Sequence, residues 1–197
     1  MIVNKIKEIR VANNSDFKLE KRAESNGNNL SGYAIIFDQP SEDLGGFIEY
    51  VDRSALDGVD LSKVQLLYNH NWDNILARTD SSTLSLQVDD RGLFFNAQIP
   101  DTTLGNDVSE NVRNGNLKGC SFGFTIRNDS WQNTTSDTAI RHITEIDDLF
   151  ELSITPMPAY QETTVSKRSL DKFKQQEIKS LGSELELIKL RSKLYGY

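Results

Sequence analysis

Apolar and polar residues alternate in short runs through the first 160 positions. The clearest are Leu30 to Phe37, Val64 to His70, Thr83 to Val88, Leu93 to Ile99, Ser121 to Ile126 and Ile140 to Ile146. Alternation at period two places one set of side chains on a buried face, so each run predicts a strand. Asp89-Asp90-Arg91-Gly92 lies between two of them and predicts a hairpin turn. Strands at this spacing imply a barrel or a sandwich. One interval differs: between Asp101 and Gly115, Leu104, Val108 and Val112 recur every four residues. This predicts a helix capped by Thr102 or Thr103 and stopped by Gly115. Asn13 to Ser15 and Ser25 to Asn29 are polar and predict loops.

From Ser166 the pattern becomes helical, with Leu170, Phe173, Ile178, Leu181, Leu185 and Ile188 forming an apolar face broken near Gly182. Charge changes at the same point. Residues 166 to 197 carry eight basic and four acidic side chains, net +4, whereas residues 1 to 165 carry 14 and 25, net −11. The expected organisation is therefore one domain, residues 1–162, followed by a basic amphipathic tail, residues 163–197. An acidic body argues against nucleic acid as a partner, because phosphate binding needs clustered positive charge. The basic tail suits an acidic protein partner or packs as an ordinary terminal helix.

No apolar run approaches the ~20 residues that span a bilayer, and the first ten residues lack a signal-peptide core. A soluble cytosolic protein without a membrane partner is expected. One cysteine excludes an internal disulfide, and two histidines with that cysteine give no zinc spacing. No metal and no cofactor are expected.

Three segments carry groups suited to acyl transfer. His70 ends Leu66-Leu67-Tyr68-Asn69-His70. Ser121 stands in Gly119-Cys120-Ser121-Phe122-Gly123-Phe124. Glu151 opens Glu151-Leu152-Ser153-Ile154-Thr155-Pro156-Met157-Pro158-Ala159. An imidazole, a hydroxyl and a carboxylate are the parts of a nucleophile, its base and the group that orients the base. Ser121 falls inside a predicted strand, unlike the elbow serine of α/β-hydrolases, and Gly-x-Ser-x-Gly is absent. Cys120 is a rival nucleophile, but strand alternation turns it to the opposite, buried face. For the third member, His142, Asp148 and Glu151 all follow Ser121. Glu151 shares a strand face with Ser153 and Thr155, which can orient its carboxylate, whereas Asp148 falls on the face of Phe150, Leu152 and Ile154. Arg78 and Arg127 are conceivable helpers at an oxyanion, with surface ion pairing as their ordinary role.

The order and wording of these segments resemble the prohead (capsid maturation) proteases of tailed phages of the HK97 type. The resemblance runs over roughly residues 30 to 162 through Leu30-Ser31-Gly32-Tyr33-Ala34-Ile35-Ile36-Phe37, Arg53-Ser54-Ala55-Leu56, Asn69-His70-Asn71, Ala77-Arg78, Arg91-Gly92-Leu93-Phe94-Phe95, Asp101-Thr102-Thr103-Leu104-Gly105, Ser121-Phe122-Gly123-Phe124 and the Glu151 to Ala159 segment. Cys120 and Ala77 depart from the usual pattern. The resemblance implies a mostly β protein with a few helices, folded as a closed, mostly antiparallel barrel of the herpesvirus-protease type. It implies a serine endopeptidase with His70 as base, Ser121 as nucleophile and Glu151 as the base's partner; the related herpesvirus assemblins use a second histidine, which would favour His142. It further implies action inside the immature capsid in the host cytoplasm, on scaffold protein, on the major capsid protein or on the chain itself, with self-association as a homodimer or a higher oligomer conceivable. The contrasting expectation is a non-enzymatic capsid assembly or scaffold protein on the same fold.

Overall fold

The computed structural model describes residues 7–12, 16–21, 27–134 and 138–156, together with isolated helical positions between 171 and 188. Strands dominate: β1 (Lys7–Ala12), β2 (Lys18–Lys21), β3 (Asn28–Ile36), β4 (Phe47–Val51), β5 (Gln65–Tyr68), β6 (Asn71–Arg78), β7 (Leu84–Val88), β8 (Gly92–Ile99), β9 (Gly119–Gln132) and β10 (Ala139–Thr155), with helix α1 (Thr103–Arg113) between β8 and β9. The helix begins where predicted, the Thr102 side chain accepting from the Gly105 N–H at 3.1 Å. It stops at Gly115, whose φ of 71° is left-handed. The predicted Asp89–Gly92 turn is closed by Asp89, whose carboxylate accepts from the N–H groups of Arg91 and Gly92 at 2.8 and 3.0 Å.

Two sheets enclose a common core. One has the order β1-β9-β10-β5-β6, with β4 also paired to β10; the other has the order β2-β3-β8-β7. Leu30, Ile35, Leu93 and Phe95 of the smaller sheet belong to the same buried cluster as Leu66, Phe122, Phe124, Leu149 and Leu152 of the larger. Burial of these apolar faces is the main term holding the sheets together.

The closed antiparallel barrel expected from the resemblance is overturned: both sheets are open. Closure needs a hydrogen-bonded ladder between the edge strands, and among the described residues β6 and β1 end one sheet while β7 and β2 end the other. The turn through Thr79 to Thr83 carries the chain from one sheet to the other without pairing β6 to β7. Nor is the larger sheet antiparallel throughout, because β10 runs parallel to both β4 and β5. The mostly β class with a helix holds.

Strand β10 is longer than alternation indicated. It absorbs both the Ile140 to Ile146 run and the Glu151 segment into 17 residues, paired along its length with β9 and interrupted by register shifts. Asn28 and Asn29 lie in β3 rather than a loop. In the tail region Asp171, Lys174, Gln175, Lys179, Gly182, Ser183, Glu186, Leu187 and Ile188 are helical. The Ser183 hydroxyl donates to the Lys179 carbonyl at 3.0 Å. The rest of the tail's apolar face, including Leu170, Phe173, Ile178, Leu181 and Leu185, lies outside the described residues, as does the Asn13 to Ser15 loop.

Candidate active site

His70 is not the last residue of a strand. Strand β5 ends at Tyr68, which pairs with Asn71 of β6, so Asn69 and His70 form a two-residue hairpin turn. Both have positive φ, 53° and 58°, the signature of a type I′ turn. Asparagine tolerates that region; histidine is held in it by its surroundings. The Asn69 N–H donates to the Ile154 carbonyl, and the His70 N–H donates to the Ser153 hydroxyl, each at 3.0 Å. Parallel pairing of β5 with β10 thus fixes the turn against the strand carrying Glu151.

The His70 ring is bonded through Nδ1 to Glu151 Oε1 at 2.7 Å. The second carboxylate oxygen accepts from the Ser153 hydroxyl at 2.6 Å. Glu151 is 2% exposed, whereas about a quarter of the His70 side chain reaches solvent. Ser153 links the two, receiving a bond from the histidine backbone and giving one to the carboxylate. A carboxylate on Nδ1 fixes the tautomer with the proton there and leaves Nε2 as the basic nitrogen.

A bulge in β10 makes room for this pair. Leu149 faces Phe124 and Glu151 faces Gly123, leaving Phe150 as the extra residue. Phe150 therefore lies on the Glu151 side, not with Leu152 as simple alternation indicates. A Cβ at position 123 would fall 2.5 Å from the Phe150 ring and 2.8 Å from Glu151 Oε1, so only glycine fits. Gly123 serves the carboxylate directly.

Ser121 lies two residues before Gly123 on β9, facing Ser153 on one side and Val11 of β1 on the other. It is on the same sheet face as Glu151 and Ser153. Its hydroxyl donates to the Arg10 carbonyl at 2.8 Å and is fully buried. The fold thus bonds His70 to Glu151 and brings Ser121 to the same face, without a hydrogen bond from Ser121 to His70. Cys120 points into the core, where burial, and then the nearby Glu151 charge, push its thiol pKa far up. A thiol so held is a poor nucleophile.

The other candidates lie elsewhere. His142 bonds to Asp52 through Nδ1 at 2.8 Å and stacks on Tyr50. It precedes Glu151 by nine residues on one strand, on the order of 30 Å at strand rise. Asp148 is exposed, unlike Leu152 and Ile154, whose face alternation gave it. Arg78 forks onto Asp80, and Arg127 onto Asp147, as surface ion pairs. Among the described residues no group of three or more His, Cys, Asp or Glu is disposed to hold a metal, and no helix is long and apolar enough to cross a membrane.

A serine hydroxyl and a buried carboxylate on neighbouring strands, with an imidazole on an adjoining turn bonded to that carboxylate, are the components of the serine hydrolase class. A family model described as caudovirus prohead serine protease matches residues 15–176, and the chain belongs to that family. Among solved structures, the bacteriophage T4 capsid assembly protease, gp21, is similar with a TM-score of 0.45 at 9% identity, over 75% of this chain and 98% of that one. No curated protein sequence matches the chain.

Proposed function

We propose that this prohead protease is a serine endopeptidase in which Ser121 is the nucleophile, His70 the general base and Glu151 the group that orients the base. The bond from His70 Nδ1 to the buried Glu151 carboxylate at 2.7 Å carries the reading. Ser121 Oγ adds to a peptide carbonyl carbon while His70 Nε2 takes its proton. The imidazolium, stabilised by Glu151, returns the proton to the departing amine. Water then adds to the acyl-enzyme by the same route and restores the hydroxyl. The natural substrates are scaffold protein, the scaffold-like part of the major capsid protein and the chain itself, cleaved inside the immature capsid.

The test is intact-mass spectrometry of the chain coexpressed with its capsid and scaffold proteins, wild type beside Ser121→Ala. Shortened products with the wild type alone are expected. Shells that assemble normally from unshortened chains in both samples would instead identify a non-enzymatic assembly protein.

A further inference from the structure

The candidate nucleophile is covered by a strand of its own chain. The Ser121 hydroxyl gives its hydrogen to the Arg10 carbonyl of β1 and is 0% exposed, so a substrate carbonyl cannot reach it and its hydrogen is engaged away from His70. Strand β1 is the edge of its sheet, laid antiparallel on β9 from Lys7 opposite Thr125 to Ala12 opposite Cys120. It also precedes residue 15, where the family match begins.

From these observations we propose that Lys7–Ala12 occupies the groove in which an extended substrate peptide binds, and that the site opens when β1 leaves β9. The proposal rests on the reading of Ser121 as nucleophile. An incoming peptide would pair with the freed edge of β9 and present a carbonyl where Arg10 now presents its own.

The anchoring of β1 suits release. Its inward side chains are Glu8, Arg10 and Ala12, with no large apolar group among them. Arg10 binds Glu49 at 2.6 Å and Glu8 at 2.5 Å, while Arg141 binds Glu8 at 2.9 Å, Glu49 at 3.0 Å and Asp129 at 2.7 Å. The attraction within a buried ion cluster is largely offset by lost hydration. On departure Glu8 and Arg10 regain water, and Arg141 keeps Glu49 and Asp129 as partners.

The experiment locks β1 with a disulfide between Lys7→Cys and Thr125→Cys, which are direct cross-strand partners. Antiparallel partners are ~4.5–5.5 Å apart at Cα, within disulfide range. Oxidised glutathione closes the bridge and dithiothreitol opens it. A fluorophosphonate probe, which bonds phosphorus to an activated serine oxygen and releases fluoride, reports on Ser121, with Ser121→Ala as control. At least tenfold slower labelling of the oxidised form than of the reduced form is expected. Faster labelling than wild type is expected after deletion of residues 1–12. Equal labelling of Ser121 in oxidised and reduced forms would overturn the occlusion while leaving the nucleophile in place. Absence of labelling in both forms and also after deletion of residues 1–12 would overturn the nucleophile and the occlusion together.

Discussion

Replacing Gly123 with alanine adds a methyl group where Glu151 and Phe150 already are. The added Cβ would lie 2.8 Å from Glu151 Oε1, 2.9 Å from its Cγ and 2.5 Å from Phe150 Cε2. Restoring ordinary contact requires movements of roughly 0.6–0.9 Å. Phe150 is partly exposed and can swing aside, but Glu151 is enclosed between Gly123, Ser153 and the His70 ring. A shift of about 0.6 Å away from His70 lengthens the 2.7 Å bond to about 3.3 Å, past the usual range and weaker. Overpacking costs about 1–3 kcal/mol of stability, and misplacing a catalytic group by ~1 Å costs about 10²-fold in rate. The assay is the rate of processing of coexpressed capsid protein by intact-mass spectrometry, with thermal denaturation of the same samples. Gly119→Ala is the control, because its methyl presses on the Thr155 hydroxyl at 3.0 Å rather than on the histidine–glutamate pair. Stability should fall in both variants and processing only in Gly123→Ala. Wild-type processing by a folded Gly123→Ala protein would refute the role given to Glu151 Oε1.

Glu151→Gln keeps the shape of the side chain but removes the charge that stabilises the imidazolium, so processing should fall by roughly 10²–10⁴. His142→Ala should leave it within a few-fold of wild type, and the reverse pattern would move the third role to His142. Cys120, buried with its pKa pushed up, should resist iodoacetamide in the native protein, and the treated sample should retain its activity; loss of activity with a single carbamidomethyl group would contradict this. Burial opposes ionisation of Glu8, but the hydrogen bonds and charges of Arg141 and Arg10 outweigh it and hold the pKa below the ordinary 4.5. Its contribution to stability is therefore complete above that value and lost as pH falls through the lowered one. Hydrogen-exchange protection, corrected for intrinsic rates, should fall in residues 7–12 before β8 on acidification; simultaneous loss would separate Glu8 from the retention of β1.

Alternation located β3, β7, β8 and the start of β9, and a four-residue recurrence located α1, because each has a clear apolar face within a short window. Strand β6 escaped it, since Asn71, Trp72 and Asp73 are exposed and carry no buried face at that end of the strand. His70 was legible as a chemical group but not as a turn residue, because Asn-His lacks the glycine that usually marks a type I′ turn. The position of Glu151 beside Ser153 followed from alternation, whereas the bulge that brings Phe150 to the same side did not, being fixed by pairing with β9. The closed barrel was expected from the resemblance, and alternation left barrel and sandwich open. Whether edges join is decided between strands far apart in the chain, and no local pattern encodes it. The cover over Ser121 depends on β1, 111 residues earlier in sequence.

Strand β10 supplies the carboxylate and also holds the turn that bears the histidine, 81 residues before it. At roughly 5–20 residues per second of translation, about 4–16 seconds separate the synthesis of His70 from that of Glu151. Through that interval the nascent hairpin has no partner strand, and closing so long a loop is the slow step in such topologies. If His70 is the base proposed above, a chain assembled in this order gains its His70–Glu151 pair only once almost the whole domain has been made.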